Sequence, residues 1–425
     1  MSGPVGDGVS FKSAIASVGG MVGRCVVLGV TGSIASYKAV EVASRLVQAG
    51  ATVDVAMTPS ATEFVAPLTF RSITGREPYV EMFAAGGEPG EAHVELARRA
   101  ELMLIAPASA TTMARLAHGL AEDFVSLTAL ATRAPLLVAP AMDVQMWEHP
   151  ATRANVETLS ARGVDLVGPS EGRLASGRTG IGRLVDPAVL VAAVSTRLGR
   201  ESGDLAGRRV VVTAGGTREP LDPVRYLGNR SSGRMGYALT EAARDRGASV
   251  VLVSTVTSQL PPPYGVRTFP VESASEMFDA VRAHALDADA LLMAAAVADF
   301  RPRVPVEQKV KRAVVSAEGP PTVELVENPD ILASIEGVRV KVSFAAETLA
   351  VGSEELHVEA LRKLHAKSAQ LVVANDVTAA GAGFGSLTNR VSILDEDGNV
   401  EELPLLLKYD CAWRILDRVA ALLRG

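Results

Sequence analysis

The sequence predicts an α/β chain built as two parallel-sheet domains in tandem, and three observations carry that reading. Apolar runs of strand length alternate with helical patterns, the order that makes a parallel sheet. The alternation breaks at a polar, glycine-containing stretch, ESGDLAGRR (201–209), and restarts with VVVTAGG. Each half also opens alike: an apolar strand runs into a turn of small residues, VTGSIASYK at 30–38 and VTAGGTREP at 212–220.

In the first half the strand runs are CVVLGV (25–30), TVDVAM (52–57), LMLIAP (102–107) and LLVAPA (136–141). Helical stretches near 34–48, 110–118, 122–132 and 151–162 separate them. A short strand at 165–168 leads into GRLASGRTGIGR (172–183), and a helix at about 187–198 follows. That run is too flexible for core and too polar for an apolar linker. In the second half the strands are VVVTA (210–214), SVVLVS (249–254), ALLMAA (290–295), VKVSFA (340–345) and LVVAN (371–375). A polar two-strand stretch at 391–404 carries the turn signal Asp397-Gly398. The last helix is expected to set Leu406, Leu407, Cys411, Ile415, Val419 and Leu422 on one core-facing side.

The totals agree with two soluble domains. The chain has 425 residues, 48% apolar and 21% charged, the balance of globular cores. Aromatics make up 4%, so those cores are aliphatic. A net charge of −6 argues against non-specific binding to nucleic acid or to an anionic membrane. Two cysteines, Cys25 and Cys411, make no disulfide framework, and six histidines show no paired metal spacing. A reducing cytoplasm is the expected location. Residues 1–21 read as a disordered Gly/Ser-rich leader. Lys12 and AIASVGGMVG have some look of a signal peptide, but the apolar run passes Arg24 straight into the first strand. Met21 is a second candidate start. No segment has the length and freedom from charge of a membrane span.

The two opening turns lack a GxGxxG pattern, yet a turn of small residues lets a phosphate approach backbone N–H groups at a helix N-terminus. Many such turns are merely structural. Ser33 is placed either to cap its helix or to bind phosphate. A second strand-to-helix turn, PASATTMARLAHG (107–119), bunches Ser109, Thr111 and Thr112. After the fourth strand stands PAMDVQMW (140–147). His93, alone on an amphipathic helix, is by itself most often without a catalytic role.

GSIASYK, the histidine of AHVELARRAE, PASATTMARLAHGLAED and PAMDVQMW occur in the order of the flavin-containing cysteine decarboxylases, which the chain resembles over about residues 22–197. The resemblance implies a Rossmann-like flavoprotein fold with FMN lined by Gly32, Ser33, Ile34, Thr58, Ser60, Ser109, Thr111, Thr112 and Ala141. It implies His93 as the catalytic histidine and 172–183 as the glycine-rich flap over the substrate, with glycines that let it open and close. In that chemistry the flavin oxidises the carbon bearing sulfur, the thioaldehyde acts as electron sink for loss of CO₂, and the same flavin reduces the enethiolate.

Two positions depart from the family. Asp143 stands where it has the asparagine that grips the substrate carboxylate. Either burial and the like charge protonate Asp143, or the grip comes from elsewhere. Ser176, in Ala175-Ser176-Gly177, stands where the family has the cysteine that protonates the enethiolate. A serine hydroxyl is a far weaker acid, so another acid, a water or His93, completes the reaction, or reduction is slow. A decarboxylase half of altered or weak activity beside an intact ligase half is the alternative reading.

In the second half GNRSSGRMG puts Asn229, Ser231, Ser232 and Gly233 before a helix. Of the chain's eight lysines, two lie in QKVKR (308–312), and Lys363 and Lys367 share a helix face. From residues alone, a solvated basic face is as good a reading as an anion site. In order, VTAGGTREPLDPVRYLGNRSSG, AAAVADFRP, KVK, ENPDI, SFAAET and ANDV resemble the phosphopantothenate–cysteine ligases, over about 205–425. The resemblance implies CTP, Mg²⁺ and an acyl-cytidylate intermediate. It implies nucleotide contacts at Ala294, Ala295, Asp299, Lys309, Asn328, Pro329, Asp330, Ile331, Phe344, Lys363 and Lys367. Asn229 would face the acyl intermediate and Asn375 the 4′-phosphopantothenate, with Asp299 a metal or nucleotide ligand and Lys309 stabilising the developing charge.

Together the halves resemble bacterial bifunctional enzymes of coenzyme A biosynthesis: residues 22–200 an FMN-dependent decarboxylase, residues 205–425 a CTP-dependent ligase. Homo-oligomers are implied: decarboxylase trimers, ligase dimers and dodecamers built from them. A nicotinamide oxidoreductase with two Rossmann-like domains is disfavoured by the missing GxGxxG and its later ribose-binding acid. A flavin-binding regulatory protein would leave the ligase motifs unexplained.

Overall fold

The computed structural model describes residues 19–82, 92–309, 322–347, 353–376, 381–383 and 385–425. Of the expected leader, residues 1–18 lie outside the described residues, as does QKVKR beyond Lys309; Met21, by contrast, is 3% exposed and part of the fold. The chain divides into two compact units, 1–198 and 199–425.

The first unit runs β1 (Cys25–Val30), α1 (Ser36–Gln48), β2 (Thr52–Met57), α2 (Pro59–Thr62), α3 (Pro67–Thr74), α4 (Ala92–Arg99), β3 (Leu102–Ala108), α5 (Ala110–His118), α6 (Phe124–Ala131), β4 (Leu136–Pro140), α7 (Val144–Glu148), α8 (Pro150–Ala161), β5 (Asp165–Leu166), β6 (Ser170–Arg173), β7 (Thr179–Arg183) and α9 (Pro187–Ser202). Strands β2-β1-β3-β4-β5 pair in that order, all parallel. Both faces are covered, which is why β1 and β3 read as continuous apolar runs rather than alternating ones. Val27, Met103, Ile105, Phe124, Trp147 and Leu159 share one core cluster. Local signals set the helix starts: Asp123 and Ser126 form a capping box at α6, and Pro150 opens α8. The GRLASGRTGIGR run is an antiparallel hairpin, β6 against β7.

The second unit runs β8 (Arg209–Ala214), β9 (Arg218–Pro220), β10 (Tyr226–Gly228), α10 (Arg234–Asp245), β11 (Ser249–Ser254), β12 (Arg267–Pro270), α11 (Ala274–Ala285), β13 (Ala290–Met293), β14 (Phe300–Pro302), β15 (Leu325–Glu327), α12 (Ile331–Ser334), β16 (Val340–Glu347), α13 (Glu354–Ala366), β17 (Leu371–Asp376), β18 (Thr388–Asn389), β19 (Val391–Asp395), β20 (Val400–Glu402), β21 (Leu406–Leu407) and α14 (Lys408–Arg424). Its eight-stranded sheet has the order β12-β11-β8-β13-β16-β17-β19-β20. It is parallel up to β17 and antiparallel beyond. Side chains of α10 and α14 pack in one core cluster, those of α11 and α13 in another. One expectation needs correcting. Leu406 and Leu407 do not belong to the last helix: they form β21, paired with β18, and the helix begins at Lys408. Cys411, Ile415 and Val419 are buried as the helical spacing requires, but Leu423 rather than Leu422 completes the buried face. Among the described residues no helix is long and apolar enough to cross a membrane.

Candidate functional site

In each sheet the chain leaves its first strand in one direction and later returns on the other side. Open α/β sheets place their ligand crevice at that switch point, at the carboxyl ends of the strands. In the first unit it lies between β1 and β3. Thr31, fully buried just after β1, joins the two loops: its hydroxyl donates to the Pro107 carbonyl (2.8 Å) and accepts from the Ser109 N–H (2.9 Å). Sequence reading missed this residue, because one threonine at a strand end carries no distinguishing pattern.

Gly32 follows, and a Cβ there would lie 2.6 Å from Ser60 Cβ, so only glycine lets the turns after β1 and β2 touch. Ser33 does not cap α1. Ala35 is the N-cap without a side-chain bond, and Ser33 Oγ accepts from the Ala35 N–H at 3.2 Å. Ile34 is exposed and Ser60 lies on the surface. Thr58 is 5% exposed, and its Oγ1 is buried with no hydrogen-bond partner. Ser109 caps α5, accepting from the Thr112 N–H (3.2 Å) with the Thr112 hydroxyl 3.1 Å away; Thr112 is buried and Thr111 exposed. Ala141 closes the group, its N–H donating to the Ala108 carbonyl at 3.1 Å.

A cleft of about 460 Å³ adjoins these turns. Ser33 and Ile34, Ala141 to Asp143, and residues on both hairpin strands line it. Here the two family departures meet. Ser176 Oγ donates to Asp143 Oδ2 at 2.6 Å, the Gln145 N–H donates to Asp143 Oδ1 at 3.1 Å, and Arg178 stands 3.6 Å from Oδ1. The Ser176 hydroxyl first, then the Gln145 N–H and Arg178, hold the Asp143 carboxyl below the usual carboxylate range. Three donors face Asp143 and it is not deeply buried, so in the free chain its surroundings favour the carboxylate form. The hairpin packs closely on the turn that carries Asp143. Gly182 O accepts from the Met142 N–H (2.9 Å), a Cβ on Gly182 would overlap the Met142 carbonyl, and one on Gly180 would lie 2.9 Å from Val144 Cγ2. These two glycines permit the close approach of the hairpin to the Met142–Val144 turn.

His93 is not among the described residues that line the cleft. It sits half-buried on α4, edge-on to Phe124 at 6.5 Å between ring centres.

In the second unit the switch point lies between β8 and β13. Thr213 Oγ1 accepts from the Ala295 N–H (3.0 Å) and Thr217 Oγ1 from the Ala298 N–H (2.9 Å). Gly216 and Ala296 form a bridge between the loops. Asn229 Nδ2 donates across them, 3.2 Å from both the Ala296 and Val297 carbonyls. Asn328 extends the chain of contacts: Nδ2 donates to the Ala298 carbonyl (2.8 Å), its N–H to the Asp299 carbonyl (2.8 Å), and Oδ1 accepts from Arg301 (3.0 Å). Asp330 caps α12, and Lys367 Nζ stands 4.0 Å from it. Asn229 and Asn328 thus both bind the backbone of the loop that carries Ala294, Ala295 and Asp299, while Asp330, two residues beyond Asn328, pairs with Lys367. Ile331 is 2% exposed and its side chain is core, so only its backbone can face a ligand. Phe344 and Asn375 lie toward the carboxyl ends of β16 and β17. Lys363 stands 3.9 Å from Glu359, and Lys309 is exposed. A buried lysine that sequence reading missed, Lys341, donates to the Leu332 and Ile335 carbonyls (3.1 and 3.2 Å) and fixes the end of α12.

No group of three or more His, Cys, Asp or Glu that could hold a metal occurs among the described residues. Asp299 is exposed.

Residues 18–199 match the family model Flavoprotein, and residues 205–423 match DNA/pantothenate metabolism flavoprotein C-terminal domain. The coenzyme A biosynthesis bifunctional protein CoaBC of Bacillus subtilis (strain 168) is 43% identical over 404 residues, 94% of this chain and 97% of that protein. Its counterpart in Vibrio vulnificus (strain YJ016) is 42% identical over 407 residues, 95% of this chain and 99% of that protein. A crystal structure of the C-terminal domain of a CoaBC protein is 37% identical, covering 52% of this chain and 99% of that domain, with a TM-score of 0.43.

Proposed function

We propose, from the premise that this chain belongs to the family of coenzyme A biosynthesis bifunctional proteins, that it makes 4′-phosphopantetheine in two steps with CTP and FMN. The chain is a phosphopantothenate–cysteine ligase and a phosphopantothenoylcysteine decarboxylase. In our reading the second unit joins cysteine to 4′-phosphopantothenate through an acyl-cytidylate, and the first removes CO₂ from the product. The observation that carries the reading is convergence: in both units the motif residues gather at the switch point of the sheet.

The first unit fits a flavin mononucleotide. Thr58 Oγ1 is a buried hydroxyl without a partner, a state that costs about 1–3 kcal/mol unless a ligand atom meets it. Gly32 keeps the neighbouring turn free of side-chain bulk. Gly32, Ser33, Ile34, Thr58, Ser60, Ser109, Thr111, Thr112 and Ala141 would hold the group. Bound there, the flavin supplies reversible two-electron chemistry at the substrate carbon bearing sulfur. The protein's part is to seat the substrate under the hairpin and exclude water, with His93 handling the thiol proton.

In the second unit the Asp299 carboxylate is exposed, and nothing described pairs with it. One carboxylate plus nucleotide phosphates is a usual Mg²⁺ donor set, so Asp299 would hold the metal with CTP. Lys309 neutralises charge at the α-phosphate, Asn229 orients the activated acyl group, and Asn375 contacts the pantothenate part. The Asn328-to-Asp330 turn, Ala294, Ala295, the Ile331 backbone, Phe344, Lys363 and Lys367 form the nucleotide side. Decarboxylase trimers and ligase dimers are the assembly this reading expects.

Mass spectrometry of the products from 4′-phosphopantothenate, cysteine and CTP tests the whole reading. Pyrophosphate release that needs all three with Mg²⁺ supports the ligase assignment; release with ATP alone overturns the nucleotide. Asp143→Asn gives a further prediction. With the charge gone, repulsion of the substrate carboxylate falls, and KM for the acyl-cysteine should drop about tenfold, the equivalent of ~1.4 kcal/mol. An unchanged KM would show that the carboxylate does not face Asp143.

A second reading has its own observation. Ser176 spends its one proton on Asp143, so this half could stop at the enethiol.

A further inference from the structure

The cleft of the first unit holds a cation that the mechanism above does not use. Lys38, on α1, has a side chain 10% exposed; Nζ donates to the Leu184 carbonyl at the foot of the hairpin (3.1 Å), and Asp186 Oδ1 stands 3.7 Å away. Lys38 lines the cleft together with Ser33, Asp143 and Ser176.

The decarboxylase reading, on which this inference rests, has a missing part. Loss of CO₂ leaves an enethiolate, and a saturated product needs a proton on the carbon that carried the carboxylate. The cysteine that the family uses is Ser176 here. Its proton is held in the 2.6 Å bond to Asp143, whose carboxyl is itself held low, so the pair is a poor proton source. His93, edge-on to Phe124 on α4, is the group assigned above to the thiol proton. Arg173 and Arg183 do, but a guanidinium does not release a proton near neutrality. Tyr37 also lines it and is 63% exposed, its phenol shared with solvent. Lys38 remains. Its ammonium has three N–H bonds, one spent on Leu184, and it sits on a helix rather than on the hairpin.

We propose that Lys38 is the proton donor that completes the decarboxylase reaction in this chain, in place of the flap cysteine. An Nζ–H bond breaks and a C–H bond forms at the carbon that lost CO₂. The enethiolate's sulfur electrons become a C=S bond, and solvent returns a proton to the amine. Bound FMN would supply the two electrons for the closing reduction of that C=S bond. The electrostatics support the assignment. Burial first and Arg183 second lower Lys38 from its ordinary value, while Asp186 and Glu41 oppose them. The result is a stronger acid than a free lysine, closer to the thiol it replaces.

The test is the ratio of saturated thiol to enethiol among the decarboxylated products, which does not depend on how much enzyme is folded. Lys38→Arg keeps a cation and a donor for Leu184 but removes the acid. It should lower the ratio about a hundredfold. The wild-type ratio should also fall as pH rises through the Lys38 titration. NMR titration of ¹³C-lysine-labelled protein, with Lys38 assigned by its loss in Lys38→Arg, should place this amine below the chain's other lysines. Three results would overturn the proposal: an unchanged ratio in Lys38→Arg, a wild type that makes only enethiol, or loss of saturated product in Tyr37→Phe but not in Lys38→Arg. Absence of CO₂ release from the wild type would instead sink the decarboxylase reading itself.

Discussion

Replacing Gly182 with alanine is expected to lower decarboxylase kcat/KM about 100-fold, the cost of moving an active-site wall by roughly an ångström. The cause is backbone against backbone. The Met142 N–H donates to the Gly182 carbonyl at 2.9 Å, and a Cβ on Gly182 would overlap the Met142 carbonyl. Neither partner has a rotamer to escape into, so the hairpin must lift off the turn that presents Asp143. Gly180→Ala should cost less, since its Cβ meets only Val144 Cγ2 at 2.9 Å, a side-chain methyl that can rotate. Gly177→Ala should cost least. Its φ of +83° adds about 1–2 kcal/mol of local strain, but nothing lies within 4 Å of the new Cβ. CO₂ release by the three variants, with flavin content measured alongside, checks the order. If Gly177→Ala were the worst, hinge freedom rather than close packing would be the reason for these glycines.

That example shows where sequence reading stops. A glycine needed for a left-handed turn, one needed for motion and one needed for contact are the same letter, and only the neighbour's distance tells them apart. The sheets were legible because strands buried on both faces are continuous apolar runs, as in β1, β3, β8 and β13. The hairpins β9–β10 and β14–β15 were not. Their strands are three residues long and largely exposed, so no apolar run marks them. At the sites, motifs pointed to turns, but not to the residues that hold the turns together. Thr31, Thr213 and Thr217 are joined to partners 76 or more residues away. Lys38 was hidden for the same reason. On an amphipathic helix a lysine reads as solvated, and its burial comes from Leu184, 146 residues on.

Removing Arg244 is the change expected to harm the second unit most. Arg244 and Asp245 are 6% and 7% exposed and paired at 2.8 Å; Arg244 also donates to the Tyr264 carbonyl (3.0 Å), and the Tyr409 hydroxyl donates to Asp245 Oδ2 (2.8 Å). The cluster fastens α10, whose first turn follows the GNRSSG loop, to α14. Arg244→Met leaves a buried carboxylate without its cation, a loss of about 3–5 kcal/mol. The pH dependence has a definite sign. Burial already pushes the Asp245 carboxyl up, against Arg244 and Tyr409. Where the folded value lies above the unfolded one, the folded state binds the extra proton, so stability falls as pH rises through the interval between them. Without Arg244 that interval widens upward, and the variant should be closest to wild type at low pH and furthest from it at neutral pH and above. Adding Asp245→Asn removes the stranded charge while keeping an acceptor for Tyr409, and should recover most of the loss. Urea unfolding at pH 5 and pH 8 measures both effects. A loss equal at the two pH values, unrelieved by Asp245→Asn, would mean that Arg244 acts through its bond to Tyr264 and its packing, not through the buried carboxylate.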